Sequence, residues 1–149
     1  MRRERGLTTV EFAIIGTVVM MTLFGVIEFG RLMYTIVFLN ESTRRAARVA
    51  AVCPVNDPAI ASAALFGGNI GVPGYGTNNV SVQYLDANSA VLGNPGGATQ
   101  NVRYVRVSVT GLSFNLSIPL LGATLALPGF PATLPRESLG IVNGVVTGC

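Results

Sequence analysis

Residues Phe12–Ile27 read FAIIGTVVMMTLFGVI, sixteen positions without a charge. Extended back to Leu7, the stretch has 21 residues and a single carboxylate, Glu11. A bilayer core of ~30 Å is crossed by about 20 such residues in a helix. The stretch therefore meets the length rule for a spanning helix, provided that Glu11 is tolerated. A cleaved secretory signal shares the basic start, here Arg2, Arg3 and Arg5, and the apolar run. It also needs a small-x-small cleavage site, whereas the run is followed by Glu28-Phe29-Gly30-Arg31.

Working outward, the helical pattern does not stop at the end of the run. Leu32–Leu39 (LMYTIVFL) is apolar again, and no proline occurs before Pro54. Residues 7–52 read as one helix of 46 residues, roughly 69 Å at 1.5 Å per residue. That is about twice a bilayer core. The part beyond the membrane needs a partner, either its own distal domain or neighbouring subunits. Glu28 and Arg31, three apart, can pair on one face near the membrane boundary. Gly25 and Gly30 cost the helix about 1 kcal/mol each relative to alanine. Close approach of another helix would compensate for that cost, though the two glycines also fit a plain interface marking. Further on, Glu41 can pair with Arg44 or Arg45, while Arg44 and Arg48 repel mildly. These arginines fit a solvated helix end, or an acidic group or lipid phosphate on a partner.

The chain has 149 residues, half of them hydrophobic and 11% charged. Soluble domains usually carry roughly 25% charged residues, so a free globule is disfavoured. Histidine, lysine and tryptophan are absent, and all ten basic residues are arginines. No Ser-His-Asp or Cys-His pair, His-ligated metal site, Walker lysine or Schiff-base lysine can be built. Two cysteines are too few for a four-thiolate zinc site. No cofactor is expected, and no enzyme. The net charge of +3 lies entirely in residues 1–53, and residues 54–149 balance to zero. The distal part therefore has no basic stripe for nucleic acid.

Composition changes abruptly at residue 53. All eight prolines and fourteen of the eighteen glycines follow it. Asn56-Asp57-Pro58 predicts a short alanine-rich helix, capped by Asp57 with Pro58 in its first turn and ending at Gly67-Gly68. Alternation predicts strands at Val80–Tyr84, Val105–Thr110, Leu112–Ile118 and around Ser138–Thr147. Pro119–Pro135 is apolar but carries four prolines, too many for a regular strand or long helix throughout. It reads as a cover for the sheet or an exposed docking loop. The fold class is α+β: a long N-terminal hydrophobic helix, transmembrane plus stalk, and then a small antiparallel sheet domain. Cys53 and Cys149 suit a disulfide in an oxidising compartment, closing a loop around nearly the whole distal domain; the alternative is two buried thiols.

The most specific motif opens the helix: Arg3-Glu4-Arg5-Gly6-Leu7-Thr8-Thr9-Val10-Glu11-Phe12. A basic leader ends in glycine, and a glutamate stands five positions later. A carboxylate at the centre of an apolar helix costs ~2.5–3.5 kcal/mol on insertion scales and usually signals function. A cut after Gly6 would give Leu7 a new α-amino group. That cation and Glu11 would lie about one turn apart, on the same chain or a packed neighbour, and would neutralise each other.

These residues resemble the type IV pilin-like proteins, and more closely the TadE-like minor pseudopilins of tight-adherence (Flp) type IV pilus systems. The resemblance is strongest at Arg5-Gly6 through Glu11-Phe12-Ala13, at Phe24-Gly25-Val26-Ile27-Glu28-Phe29-Gly30-Arg31, and at Ala46-Ala47-Arg48-Val49-Ala50. Beyond the helix it is loose, through Val105–Thr110 and Leu134-Pro135-Arg136-Glu137-Ser138. It implies a prepilin peptidase cut between Gly6 and Leu7, with Glu11 as the assembly carboxylate and Phe12 beside it. Gly25, Glu28, Gly30 and Arg31 match its typical G-x-x-E-x-G-R-like pattern, which the resemblance implies serves assembly and packing with Glu11 and Phe12. The implied organisation is a leader at 1–6, a transmembrane and assembly helix at 7–53, and an extracytoplasmic domain at 54–149. The implied location is the bacterial cytoplasmic membrane, single-pass with the N-terminus inside, with incorporation into the pilus. Implied partners are other pilins and pseudopilins, the prepilin peptidase, the inner-membrane assembly platform and membrane lipid, and the implied role is in pilus assembly or adhesion. The alternatives are an uncleaved membrane-anchored periplasmic binding module and a pseudopilin of a type II secretion system.

Overall fold

The computed structural model describes residues 5–68, 71–118 and 122–149, and of residues 5–7 the backbone alone. Most of the leader, residues 1–4, lies outside the described residues, as do Pro119, Leu120 and Leu121. Helix α1 runs unbroken through Arg5–Val52. It stops where Cys53 and Pro54 follow, since proline excludes the helical conformation from the residue before it. The order after that is α2 (Pro58–Ala64), β1 (Val80–Leu85), β2 (Tyr104–Val109), β3 (Ser113–Asn115), β4 (Thr124–Ala126), β5 (Phe130–Pro135), β6 (Ile141–Val142) and β7 (Val145–Val146). The class is α+β, a long apolar helix followed by a small antiparallel sheet domain.

Contacts divide the chain into two units. One comprises residues 1–34 with 114–125, the other residues 35–113 with 126–149. The second unit holds the main sheet, in the order β1-β2-β5. Val105, Val107 and Val109 of β2 are fully buried, and Arg106 and Ser108 point the other way, as period-two alternation requires. The valine face packs on α1. There Ala46, Ala47 and Ala50 join Ile60, Ala64, Tyr84, Val102 and Leu139 in one cluster. Leu39 joins Val72, Tyr75, Leu112 and Phe130 in a second. Small side chains at one-turn spacing allow the sheet to approach the helix closely.

Helix α2 starts as expected, with Pro58 in its first turn and the Asp57 carboxylate accepting the Ala59 N–H at 2.8 Å. It ends at Ala64, earlier than the glycine pair, because Phe66 already turns to φ 54° ahead of Gly67 at φ 75°.

Three strand expectations change. The alternating stretch at 112–118 forms only the three-residue β3, paired with β4. The proline-rich segment contains a true strand, β5, with Pro131 opposite Ser108 and Pro135 opposite Tyr104. Just beyond it, the Arg136 N–H donates to the Arg103 carbonyl at 2.9 Å. Even-numbered residues therefore face β2, and both prolines sit on the outward edge, where no donor is needed. The strand expected at 138–147 is instead the hairpin β6–β7, turning at Asn143 (φ 51°) and Gly144 (φ 79°). Two adjacent positive φ angles are the requirement of a two-residue hairpin turn, and Asn-Gly meets it at little cost.

Candidate functional site

The candidate site is the surface of α1, and exposure along the helix defines it. From Thr8 to Phe24 nearly every side chain is open, with Phe12 77% and Val18 60% exposed. Glu11 lies on this bare stretch. Phe12, Ala13, Gly16, Met20 and Phe24 border a shallow apolar groove along one face. Hydroxyls on the bare helix satisfy themselves: Thr17 donates to the Ala13 carbonyl at 2.8 Å and Thr22 to the Val18 carbonyl at 2.9 Å. Such internal bonding is what a helix in lipid requires. The segment is long and apolar enough to cross a membrane, with a mean hydropathy of 2.2.

Cover begins abruptly at Glu28, which is 5% exposed between Ile27 at 57% and Phe29 at 63%. From there one stripe stays buried: Glu28, Thr35, Leu39, Ser42, Thr43, Ala46, Ala47 and Ala50. The pair expected from spacing is present, with Arg31 donating from a guanidinium nitrogen to Glu28 Oε1 at 2.5 Å. Arg31 does more than the sequence suggested. It also donates to Ser117 Oγ at 3.2 Å, and its guanidinium lies 5.4 Å from the Phe114 ring centre. One cation therefore joins a helical carboxylate to the β3–β4 hairpin. The second carboxylate oxygen, Glu28 Oε2, is buried and has no hydrogen-bond partner among the described residues.

Gly25 and Gly30 stand beside this cluster, and a Cβ added at either would meet nothing within 4 Å. Among the described residues, nothing of the chain itself makes a close approach at these glycines. Arg44, Arg45 and Arg48 are exposed on the face away from the alanines, and Arg45 lies 4.9 Å from the Phe66 ring centre. The expected cut at Gly6–Leu7 falls in the first turn of α1, where only the backbone is described.

In the distal unit Cys53 and Cys149 form a disulfide. Gly140, at φ 71°, packs on Pro54, the residue after Cys53, where an added Cβ would come within 2.5 Å of the proline ring. Two of the acids there have structural work. Asp57 caps α2, and Asp86 accepts the N–H groups of Asn88 and Ala90. Sequence reasoning missed a buried polar set. Ser42 Oγ donates to the Ala64 carbonyl at 2.8 Å and is hydrogen-bonded to the Tyr75 hydroxyl, fixing α2 on α1. It also missed the alanine stripe as a packing face, although Ala46, Ala47 and Ala50 at helical spacing carry that signal.

A bare apolar helix with one carboxylate near its start, long enough to cross a membrane, and a small antiparallel sheet domain define a long-helix α+β protein. The family model of the TadE-like proteins matches residues 6–48, so the resemblance read from the sequence is borne out over that segment. The match begins at Gly6, includes Glu11, Glu28 and Arg31, and ends before the sheet domain. No curated protein and no solved structure matches the chain.

Proposed function

We propose that this chain is a minor pilin-like subunit of a tight-adherence, Flp-type pilus, with a structural rather than a catalytic role. The observation that carries the reading is Glu11, standing on a helix whose apolar surface is left open by its own chain. The family match from Gly6 onward supports it. The helix holds the precursor in the cytoplasmic membrane with the arginine leader inside. A prepilin peptidase cuts the Gly6–Leu7 bond. The freed amine lies four residues from Glu11, about 6 Å along the helix, or pairs with Glu11 of a neighbouring subunit. Either pairing neutralises a carboxylate that hydrocarbon cannot solvate and fixes helix register during assembly. Gly25 and Gly30 offer the next helix a close approach. The distal domain, closed by its disulfide, belongs on the oxidising side of the membrane.

Intact-mass measurement of the protein from its native membrane is the direct test. The expected product lacks the first six residues and begins at Leu7. A full-length mature chain would contradict the subunit reading and favour a plain tethered domain.

A further inference from the structure

The sequence has a second long uncharged stretch. From Leu112 to Pro135 no residue is charged, and this stretch includes the β3–β4 hairpin. Arg31 fastens the hairpin to α1 through Phe114 and Ser117. Arg31 stands four positions after Ile27, where the uncharged run of the helix ends. The hairpin therefore docks at the level where the bare apolar helix gives way to covered helix.

The hairpin is also built for a poorly hydrated place. Its strands pair with each other, the Leu116 N–H donates to the Ala123 carbonyl at 2.9 Å, and Thr124 Oγ1 donates to Asn115 Oδ1 at 2.9 Å. Leu125 on β4 is 47% exposed. The Arg31 side chain remains 45% exposed. Among the described residues the hairpin thus adds Leu125 and Ala126 to the apolar surface at this level, beside the uncharged polar side chains of Ser113, Asn115 and Thr124, with a cation at the junction. Lipid matches this sequence of surfaces: acyl chains beside the helix, the interfacial layer beside the hairpin, and phosphates within reach of the arginine.

We propose that the β3–β4 hairpin is a membrane-surface element, seated in the interfacial layer of the bilayer at the end of the spanning helix, with Leu125 turned into lipid. This rests on the membrane-span reading, and the test separates the two. The chain has no tryptophan, so one introduced tryptophan is the sole indole reporter. Full-length Leu125→Trp, Val18→Trp and Val142→Trp proteins are reconstituted in phosphatidylcholine vesicles. Acyl chains are brominated near the headgroup in one preparation and deep in the other. Val18 lies on the bare helix and Val142 on the exposed distal hairpin β6–β7.

The expected result is blue-shifted emission from the Leu125→Trp variant, with loss of intensity mainly to the shallow bromines. The Val18→Trp variant should lose intensity mainly to the deep ones, and the Val142→Trp variant to neither. Should the Leu125→Trp variant stay as red and bright as Val142→Trp while Val18→Trp is quenched, the hairpin proposal fails and the span stands. Blue-shifted but unquenched emission from Leu125→Trp means cover by protein, which also overturns the proposal. An unquenched Val18→Trp variant removes the span itself, and the hairpin proposal with it.

Discussion

The contacts of Arg31 with Glu28, Ser117 and Phe114 differ in strength, and their order follows from charge and burial. The bond to Glu28 joins two opposite charges and involves a carboxylate that is almost wholly buried, so it outweighs the bond to the uncharged Ser117 hydroxyl and the ring contact. Deeper in the fold, Tyr75 and Tyr84 are buried with their hydroxyls bonded, Tyr75 to Ser42 and Tyr84 accepting the Asn56 N–H at 3.0 Å. Burial pushes both hydroxyls above the ordinary tyrosine value of 10.0. The bonds pull each back in part, and the Asp57 charge adds to the rise at Tyr84. A raised folded-state value means that the folded chain holds protons which the unfolded chain has released. The associated stability is complete below pH 10.0 and is lost as pH climbs through the raised values. Urea midpoints of the full chain in detergent should therefore fall above that pH, and Tyr75→Phe together with Tyr84→Phe should flatten the fall. An equally steep fall in the double variant would assign the effect elsewhere.

At the scale of elements, α1 does two jobs with two surfaces. Up to Phe24 it keeps its side chains open, and from Glu28 it buries one stripe. Along that stripe the sheet needs small residues. Ala46→Leu, at a position with no exposure, should destabilise the protein by about 1–3 kcal/mol through overpacking. Arg48→Ala on the open face should stay within about 0.5 kcal/mol. Thermal unfolding of both variants checks this, and equal melting temperatures would deny the packing role. The helix, the Asp57 cap, β1 and β2 were legible because each follows from local chemistry: apolar length, a side-chain acceptor before proline, strict alternation. The Glu28–Arg31 pair was legible from spacing alone. Strand β5 was hidden because its prolines contradict a strand in general and fit one only on an outer edge, which is a property of topology. The alternation at 112–118 overstated β3 because β4 pairs with only three of its residues. The hairpin β6–β7 was hidden although Asn143-Gly144 carried its turn signal, since the valines on both sides read as one run.

At the scale of the molecule, the Cys53–Cys149 disulfide joins positions 96 residues apart. In the chain-entropy view, a closed loop of that size stabilises by about 4–5 kcal/mol. Reduction of the full chain in detergent should shift its urea midpoint down accordingly, and an unchanged midpoint would mean that the distal fold does not depend on the link. The family match spans residues 6–48, all of them within α1. The two prolines on the outer edge of β5 set a limit on how the sheet domain can associate. An edge with no donor at 131 and 135 gives an incoming backbone too few partners to zip onto it. Were copies crowded together by helix packing as proposed above, that margin would not seed cross-β fibres.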